Sequence, residues 1–394
     1  MFSCVLCESD NTEILYKPHK SAVSLRIGIC KNCSLVQAIY DQIKYEKINE
    51  KHWPDGVVIE KLSCDADYSE VRVGKQQMAH KPFAHFDRYL RDKKSITHIL
   101  DMRSARGNFA LRAIDYFEIP SIDCIESDYY MTESYRNNPK INLICSKYYE
   151  HKPPKPYDLV YSCHTLEHYR DPKKYLNYVA SVIRKGGYFF LDVPNVKAIA
   201  AGNNYDDYFY DKHLFYFAGG VLRDYLSSLG FDVLSCDDDG FTVELLLQLN
   251  RTRSTSWIPS KSLEQEALKL IDTIKSYKQD IESNRAKVLS LVTKIEIWLI
   301  EKNVPVIFGM GRLLDCLVEY GKLDLSKFAH YVDNYLSQAT PNVRGFPVDK
   351  EHILLSDHSV DAVLVLTRFS SVELINHVKT LCPHADVRHF SEFL

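Results

Sequence analysis

The sequence predicts an α/β protein with two domains built on mainly parallel sheets, the second smaller than the first, behind a small N-terminal module stapled by metal. Three observations predict this. Two Cys-x-x-Cys pairs lie within the first 33 residues. From Ser95 onward, short apolar runs alternate with stretches of helical length, the pattern of a sheet whose crossovers are helices. The alternation restarts at Pro305 after a segment, 263–302, that contains neither glycine nor proline.

The chain has 394 residues, enough for two or three domains of about 100 to 200 residues each. With 45% hydrophobic and 26% charged residues it has the material for packed cores. Its 49 basic and 52 acidic residues leave a net charge of -3, so nothing marks it for polyanionic partners. A dedicated nucleic-acid binder is therefore excluded as an expectation. Met1 to Leu15 carries Cys4, Cys7, Glu8, Asp10 and Glu13 where an export signal has a basic and then an apolar stretch. No apolar run approaches the length of about 20 residues that spans a bilayer. These features, with an odd count of 11 cysteines, set the expectation of a reduced, cytoplasmic protein with no membrane partner.

Cys4-Val5-Leu6-Cys7 and Cys30-Lys31-Asn32-Cys33 each direct two thiolates at one point while the intervening chain returns. Cys4, Cys7, Cys30 and Cys33 are thus expected to hold one structural zinc ion, with two disulfides or unligated thiols as the alternative. Four protein ligands leave no open coordination position, which makes the ion a staple for a segment too small to have its own core. His19, between the pairs, reads as a solvated loop residue. Cys64, Cys124, Cys145, Cys163, Cys236, Cys316 and Cys382 are scattered singly and read as small buried hydrophobes.

Helix formers and aromatics fill 64–91. Strands are expected at Ser95–Met102, Ser121–Glu126, Asp158–Ser162 and Tyr188–Val193, with Gly186-Gly187 stopping a helix over Tyr175–Arg184 and turning the chain into the last of these. Two further strands, at Phe231–Val233 and Phe241–Leu249, finish the sheet near Asn250. Apolar residues at helical intervals from Leu270 to Leu299 predict a long helix or helical pair joining the domains. The second domain is expected to have strands at Pro305–Gly309, His330–Val332 and Asp361–Leu366 and a helix over Leu313–Tyr320.

In open α/β sheets, ligands bind beyond the carboxyl ends of the strands. Asp101 to Gly107 follows the first strand and Glu126 ends the second, where an acid can accept hydrogen bonds from both hydroxyls of a ribose. A nucleoside-containing cofactor is the first hypothesis, with a cap or solvated turn as the alternative for the acid. Beyond this lie Tyr157 to His168 (YDLVYSCHTLEH), Arg170-Asp171-Pro172, Arg184-Lys185-Gly186-Gly187, Val193-Pro194-Asn195 and Asp211 to Phe217 (DKHLFYF). In these the chain resembles the class I S-adenosylmethionine-dependent methyltransferases, particularly those with an N-terminal zinc-binding module. Phe308-Gly309-Met310-Gly311, Val332-Asp333-Asn334 and Gly345-Phe346-Pro347-Val348 resemble the C-terminal domain of sugar C-methyltransferases.

The resemblance implies a zinc module over 1–62, a Rossmann-like methyltransferase domain with leading helices over 63–250, a helical linker over 251–302 and a smaller Rossmann-like substrate-binding domain over 303–394. It implies that Asp101, Gly107 and Glu126 line the S-adenosylmethionine site, with Cys163 and His164 near the methionine end. The family loop reads acid-x-Gly-x-Gly-x-Gly, whereas here Arg103 and Ala105 stand at the first two glycine positions. Arg103 either weakens the cationic cofactor or pairs with its carboxylate, and both remain open.

The implied reaction is methyl transfer to a nucleotide-linked sugar or related surface-glycan precursor, a small-molecule substrate whose departing proton needs a base. His213 is the expected base, with Tyr210 and His168 as polarising or positioning partners. Glu167 reads as packing or capping locally, and His164-x-x-Glu167-His168 is not taken as a protease zinc site. The family's His-Glu-His element is Asp211-Lys212-His213 here, so carbon and oxygen acceptors both stay open. Lys212 is expected to bind a substrate phosphate, with a solvated lysine as the alternative. Tyr205, Tyr208, Phe209, Tyr210, Phe215, Tyr216 and Phe217 form a candidate sugar-stacking wall, about half of it core. Gly309-x-Gly311 lacks the third glycine of a dinucleotide turn, so NAD is not expected; the resemblance implies that this domain helps hold the nucleotide sugar through Asp333, with a purely structural domain as the alternative. The competing function class is an inactive methyltransferase-like scaffold, favoured by Arg103, Ala105 and Lys212.

Overall fold

The computed structural model describes residues 2–19, 21–45, 81–90, 92–105, 107–126, 132, 135–201, 205–238, 240–254, 256–334, 336–339, 342–367 and 372–394. Cys64, Arg106 and the expected helices over 64–80 lie outside them. The described residues fall into two compact units, one running to Ala201 and including Phe209–Ser276, the other comprising 205–208 and Tyr277–Leu394.

In the first unit, β1 (Thr12–Tyr16), β2 (Arg26–Cys30) and β3 (Val36–Ile39) form an antiparallel meander. A fourth strand, β9 (Phe215–Tyr216), comes from far along the chain and pairs with β3. The N-terminal sheet therefore needs the segment that follows His213 to complete it.

After α1 (Lys81–Tyr89), the main sheet is assembled from β4 (Ile99–Met102), β5 (Ile122–Ile125), β6 (Ile141–Ile144), β7 (Tyr157–Cys163), β8 (Ile183–Pro194), β10 (Phe231–Asp237) and β11 (Thr242–Leu249). The spatial order is β10-β11-β8-β7-β4-β5-β6. Strands β4 to β8 are parallel, and the β10–β11 hairpin adds antiparallel to β8. β4 and β5 are buried along their whole length, as strands covered on both faces must be. The order grows one way from β4 through β5 and β6 and the other way through β7 and β8. A topological switch point thus lies between β4 and β7, where their carboxyl ends open a crevice.

Helices α2 (Asn108–Tyr116), α3 (Pro172–Val182) and α4 (Gly219–Ser228) connect these strands. The Asp171 side chain accepts the Lys174 N–H at 2.8 Å and Pro172 occupies the first turn, so α3 starts with a cap and a preset φ. Its end differs from the expectation. The helix stops at Val182 because β-branched Ile183 turns extended (φ -89°, ψ 136°), and Gly186-Gly187 lies inside β8. The pairing jumps from Tyr157↔Ile183 to Leu159↔Tyr188, so the glycines serve a bulge instead of a helix stop. β6 was also missed: as an edge strand it carries only one fully buried residue, Ile141, and gives little periodic signal.

One unbroken helix, α5 (Lys261–Leu299), accounts for the glycine-free segment. In the second unit, Val288, Leu291, Val292, Ile295 and Leu299 share a core with α6 (Arg312–Glu319) through Leu313, Leu314 and Leu317. The sheet there comprises β12 (Pro305–Phe308), β13 (His330–Val332), β16 (Ala362–Val365) and β17 (Asp386–His389), in the order β13-β12-β16-β17 and all parallel. A short hairpin of β14 (Asn342–Val343) and β15 (Phe346–Pro347) precedes β16.

Two expectations about single residue types are corrected. Cys124, Cys316 and Cys382 are buried, but Cys145 is exposed at the rim after β6, and Cys163 and Cys236 are half-buried. Of the proposed aromatic wall, Tyr205, Phe209, Phe215, Tyr216 and Phe217 are all buried side chains of the packed interior. Tyr205 packs in the core of the second unit and Phe209 to Phe217 thread through the first, which leaves Tyr208 and Tyr210 as the half-buried members.

Candidate active site and metal centre

The loop that leaves β4 has a left-handed backbone at each alternate position: φ is 58° at Arg103, 49° at Ala105 and 72° at Gly107. These are the positions at which the family pattern has glycine, and the conformation persists although two side chains now occupy it. Gly107 has a second reason to be glycine, since a Cβ there would stand 2.7 Å from the Tyr135 ring. Tyr135 is held by a 2.6 Å hydrogen bond between its hydroxyl and Ser104 Oγ. The loop is fastened further when Ala105 N–H donates to Glu126 Oε2 at 2.8 Å and Ser104 N–H to the Ile125 carbonyl at 3.1 Å. Glu126 is only 2% exposed, so a ribose would share this carboxylate with Ala105. Asp101 lies within β4 rather than after it and is buried.

At the neighbouring strand ends, β7 delivers Cys163 and His164, and β8 delivers Asp192. His164 is left-handed (φ 46°), and its N–H donates to the Asp192 carbonyl at 2.9 Å. Cys163 Sγ is 3.7 Å from Asp192 Oδ2, and His164 Nε2 is 3.8 Å from Asp192 Oδ1. Asp192 faces Glu244 across the β8–β11 pairing, and burial beside that second acid pushes its carboxyl well above the usual range. Burial acts on Glu244 too, but His85 and Lys81 outweigh it and bring that carboxyl to about 2.

The 3-10 turn Leu166–His168 then carries Glu167 beneath three imidazoles. Glu167 is 0% exposed, and its Oε1 lies 3.5 Å from His164 Nδ1, 3.8 Å from His168 Nε2 and 3.9 Å from His213 Nε2. Of the two expected roles, packing or capping locally, the side chain packs and does not cap the turn. His168 Nδ1 donates to the Lys212 carbonyl at 3.0 Å, which fixes the proton on that nitrogen because a carbonyl only accepts. Burial, then the nearby Arg103 charge and His213, lower the His168 pKa well below its usual value, so the ring is neutral. His213 Nε2 meets the Tyr210 hydroxyl at 2.9 Å. The expected catalytic residues Tyr210, His168 and His213 are therefore together, with Glu167 and the Arg103 charge beside them. Lys212 is 5% exposed, which removes the solvated-lysine reading.

Residues 75–236, which include the loop, the three imidazoles and Tyr210, match the family model described as a methyltransferase domain. Among solved structures, the chain is similar to an S-adenosylmethionine-dependent methyltransferase from Clostridium acetobutylicum (18% identity, TM-score 0.34, covering 43% of this chain and 99% of that one). It is also similar to one from Mesorhizobium loti (14% identity, TM-score 0.34, covering 40% and 93%). A third is the magnesium protoporphyrin IX methyltransferase of Synechocystis PCC 6803, solved with S-adenosylmethionine bound (14% identity, TM-score 0.35, covering 47% and 82%). No curated protein sequence matches the chain.

The N-terminal module grips the rest of the first unit at the segment bearing His213. The Asp211 side chain accepts from Ser21 Oγ at 2.5 Å and from Ala22 N–H at 2.7 Å. Leu214 N–H donates to the Glu167 carbonyl at 2.8 Å, and the Leu214 carbonyl accepts from Ala38 N–H at 2.8 Å. The residue that replaces the first histidine of the family element is thus an anchor, and the imidazole two positions on is held from both sides.

Within that module the four sulfurs of Cys4, Cys7, Cys30 and Cys33 lie within 4.8 Å of one another. The Cys4–Cys33 and Cys7–Cys30 separations are both 3.5 Å. Tetrahedral thiolate coordination with metal–sulfur bonds of about 2.3 Å needs sulfurs about 3.8 Å apart, so the donor set fits zinc. In the second unit, Asp333 sits at the end of β13, where its Oδ2 accepts from Met310 N–H at 3.2 Å and its Oδ1 from Leu336 N–H at 3.0 Å. It braces the turn after β12 as Glu126 braces the turn after β4. No helix among the described residues is long and apolar enough to cross a membrane.

The expectations missed Asp192, Glu167 and Lys81. A carboxylate inside an otherwise apolar strand, as in Phe189 to Pro194 (FFLDVP), was the signal for the first, because an acid is placed there only at a cost in desolvation.

Proposed function

We propose that this protein is an S-adenosylmethionine-dependent methyltransferase acting in the cytoplasm on a nucleotide-linked sugar or related surface-glycan precursor, with His213 as general base. The observation that carries the reading is the pairing of His213 with Tyr210 at 2.9 Å, on a segment clamped beside the carboxyl end of β7. When bound, S-adenosylmethionine supplies a methyl group activated by its sulfonium. Arg103, Ser104, Ala105 and Gly107 and the carboxylate of Glu126 are the residues that would hold it, at the switch point of the sheet. Arg103 adds a positive charge suited to the cofactor carboxylate.

His213 takes the acceptor proton, Tyr210 orients the imidazole, and Glu167 stabilises the imidazolium that forms. Glu167 supplies from another loop the carboxylate that the family element carries at the position of Lys212. Neutral His168, with its proton fixed on Nδ1, orders the wall of the cleft. Lys212 and Asp333 are assigned to the substrate, and one zinc ion staples the four-cysteine module. The sugar assignment rests on the sequence resemblance alone.

The test is single-turnover transfer of a labelled methyl group across a panel of nucleotide sugars. His213→Asn should keep cofactor affinity and lose about 100-fold to 10,000-fold in rate, with an unchanged melting temperature. Equal turnover in the variant moves the role to His168. A wild-type protein that binds no S-adenosylmethionine at millimolar concentration makes the chain a scaffold.

A further inference from the structure

We propose that Cys163, His164 and Asp192 form a second metal site, for a divalent ion of the zinc type, at the carboxyl ends of β7 and β8. Their donor atoms lie within 4.8 Å of one another. The two separations to Asp192, 3.7 Å from Cys163 Sγ and 3.8 Å from His164 Nε2, are close to those around a tetrahedral ion. Bonds of about 2.0 to 2.3 Å place such ligands about 3.3 to 3.8 Å apart. The set is already gathered before any ion is added.

Two further observations point to a cation. Asp192 is 1% exposed, and its Oδ1 has no hydrogen-bond partner among the described residues. A buried carboxylate oxygen left in that state costs free energy that a metal–oxygen bond recovers. The His164 backbone is left-handed, a strain that the hydrogen bond to the Asp192 carbonyl holds in place and that fixes its side chain next to Cys163. With Glu244 across the strand, two carboxylates and the Cys163 thiolate stand against Lys81, so a divalent charge is compensated.

The other three-residue cluster, Glu167, His168 and His213, has the donors but a different setting. The Arg103 charge acts on His168, and the Tyr210 hydroxyl already occupies His213 Nε2. A cation is favoured at Cys163 and not there. A thiolate, an imidazole and a carboxylate together suit zinc or cobalt over magnesium or calcium. Cys163 and Asp192 give their protons to solvent as the metal–sulfur and metal–oxygen bonds form. Three protein ligands leave one position open, which fits an oxygen of the methyl acceptor. That last use rests on the methyl-transfer reading, whereas the metal site does not.

Zinc content of the full chain, after loading and removal of excess metal, tests the site without any activity assay. Wild type should retain two equivalents, and Cys163→Ser and Asp192→Asn one each, with melting temperatures showing that the variants are folded. In wild type whose four-cysteine site is filled with zinc, added cobalt should give a thiolate-to-cobalt charge-transfer band that Cys163→Ser abolishes. One equivalent in wild type overturns the proposal. So does a second equivalent that survives both substitutions, or one lost in His213→Gln and kept in Cys163→Ser.

Discussion

Gly107→Ala should destabilise the protein through two separable effects. The backbone there has φ 72°, a region that costs a residue bearing a Cβ about 1 to 2 kcal/mol. The new methyl carbon would also stand 2.7 Å from Cγ and Cδ1 of Tyr135, near the root of a buried ring whose hydroxyl is tied to Ser104. Overpacking of that kind costs about 1 to 3 kcal/mol. Alanine restricts the unfolded chain and returns about 0.4 to 1 kcal/mol. The net loss is about 1 to 5 kcal/mol, read as a fall of the melting temperature by about 2 to 18 °C at about 2 to 4 °C per kcal/mol. Adding Tyr135→Ala to the cycle should recover the packing share and leave the backbone share. Ala105→Gly, two residues away, should be close to neutral: relief of a left-handed φ of 49° offsets added unfolded-state entropy and the loss of a buried methyl group worth about 0.8 kcal/mol. A Gly107→Ala protein melting within about 1 °C of wild type would refute the claim that this loop is set by backbone conformation.

Glu126→Ala should weaken S-adenosylmethionine binding by about 2 to 4 kcal/mol in calorimetry, because a carboxylate that accepts charge-assisted hydrogen bonds is lost. Asp211→Ala should lower single-turnover rate more than cofactor affinity, since it frees the His213 segment from Ser21 and Ala22; equal loss in both would assign Asp211 a general folding role. Burial alone would raise the Asp158 carboxyl, but Arg184 and the backbone N–H groups of Thr97 and His98 hold it below its usual value. The folded form therefore binds a proton less readily than the unfolded chain, and the stabilisation is present above about pH 4 and fades as pH falls through the folded pKa. Asp158→Asn should be less stable than wild type at pH 7, with the gap closing in acid denaturation curves below about pH 4.

Local chemistry written in consecutive residues was enough to read the elements that lie in one stretch of chain. The spacing of Cys4, Cys7, Cys30 and Cys33, the buried strands β4, β5 and β7 and the unbroken α5 are each specified by neighbours in sequence, through ligand spacing or burial on both faces. Glycine positions were legible as a pattern, but not what the pattern is for. Only the fold shows that Arg103 and Ala105 keep the left-handed backbone their glycine counterparts would have, because hydrogen bonds from the Ala105 and Ser104 N–H groups to Glu126 and the Ile125 carbonyl hold the loop. The closing strand β9, the anchoring of Asp211 by Ser21 and the gathering of Glu167 under His164, His168 and His213 join residues up to 190 positions apart. No local periodicity encodes such contacts. They arise because a parallel sheet brings the ends of distant strands to one edge, and a buried acid such as Asp192 or Glu167 acquires its partners only there.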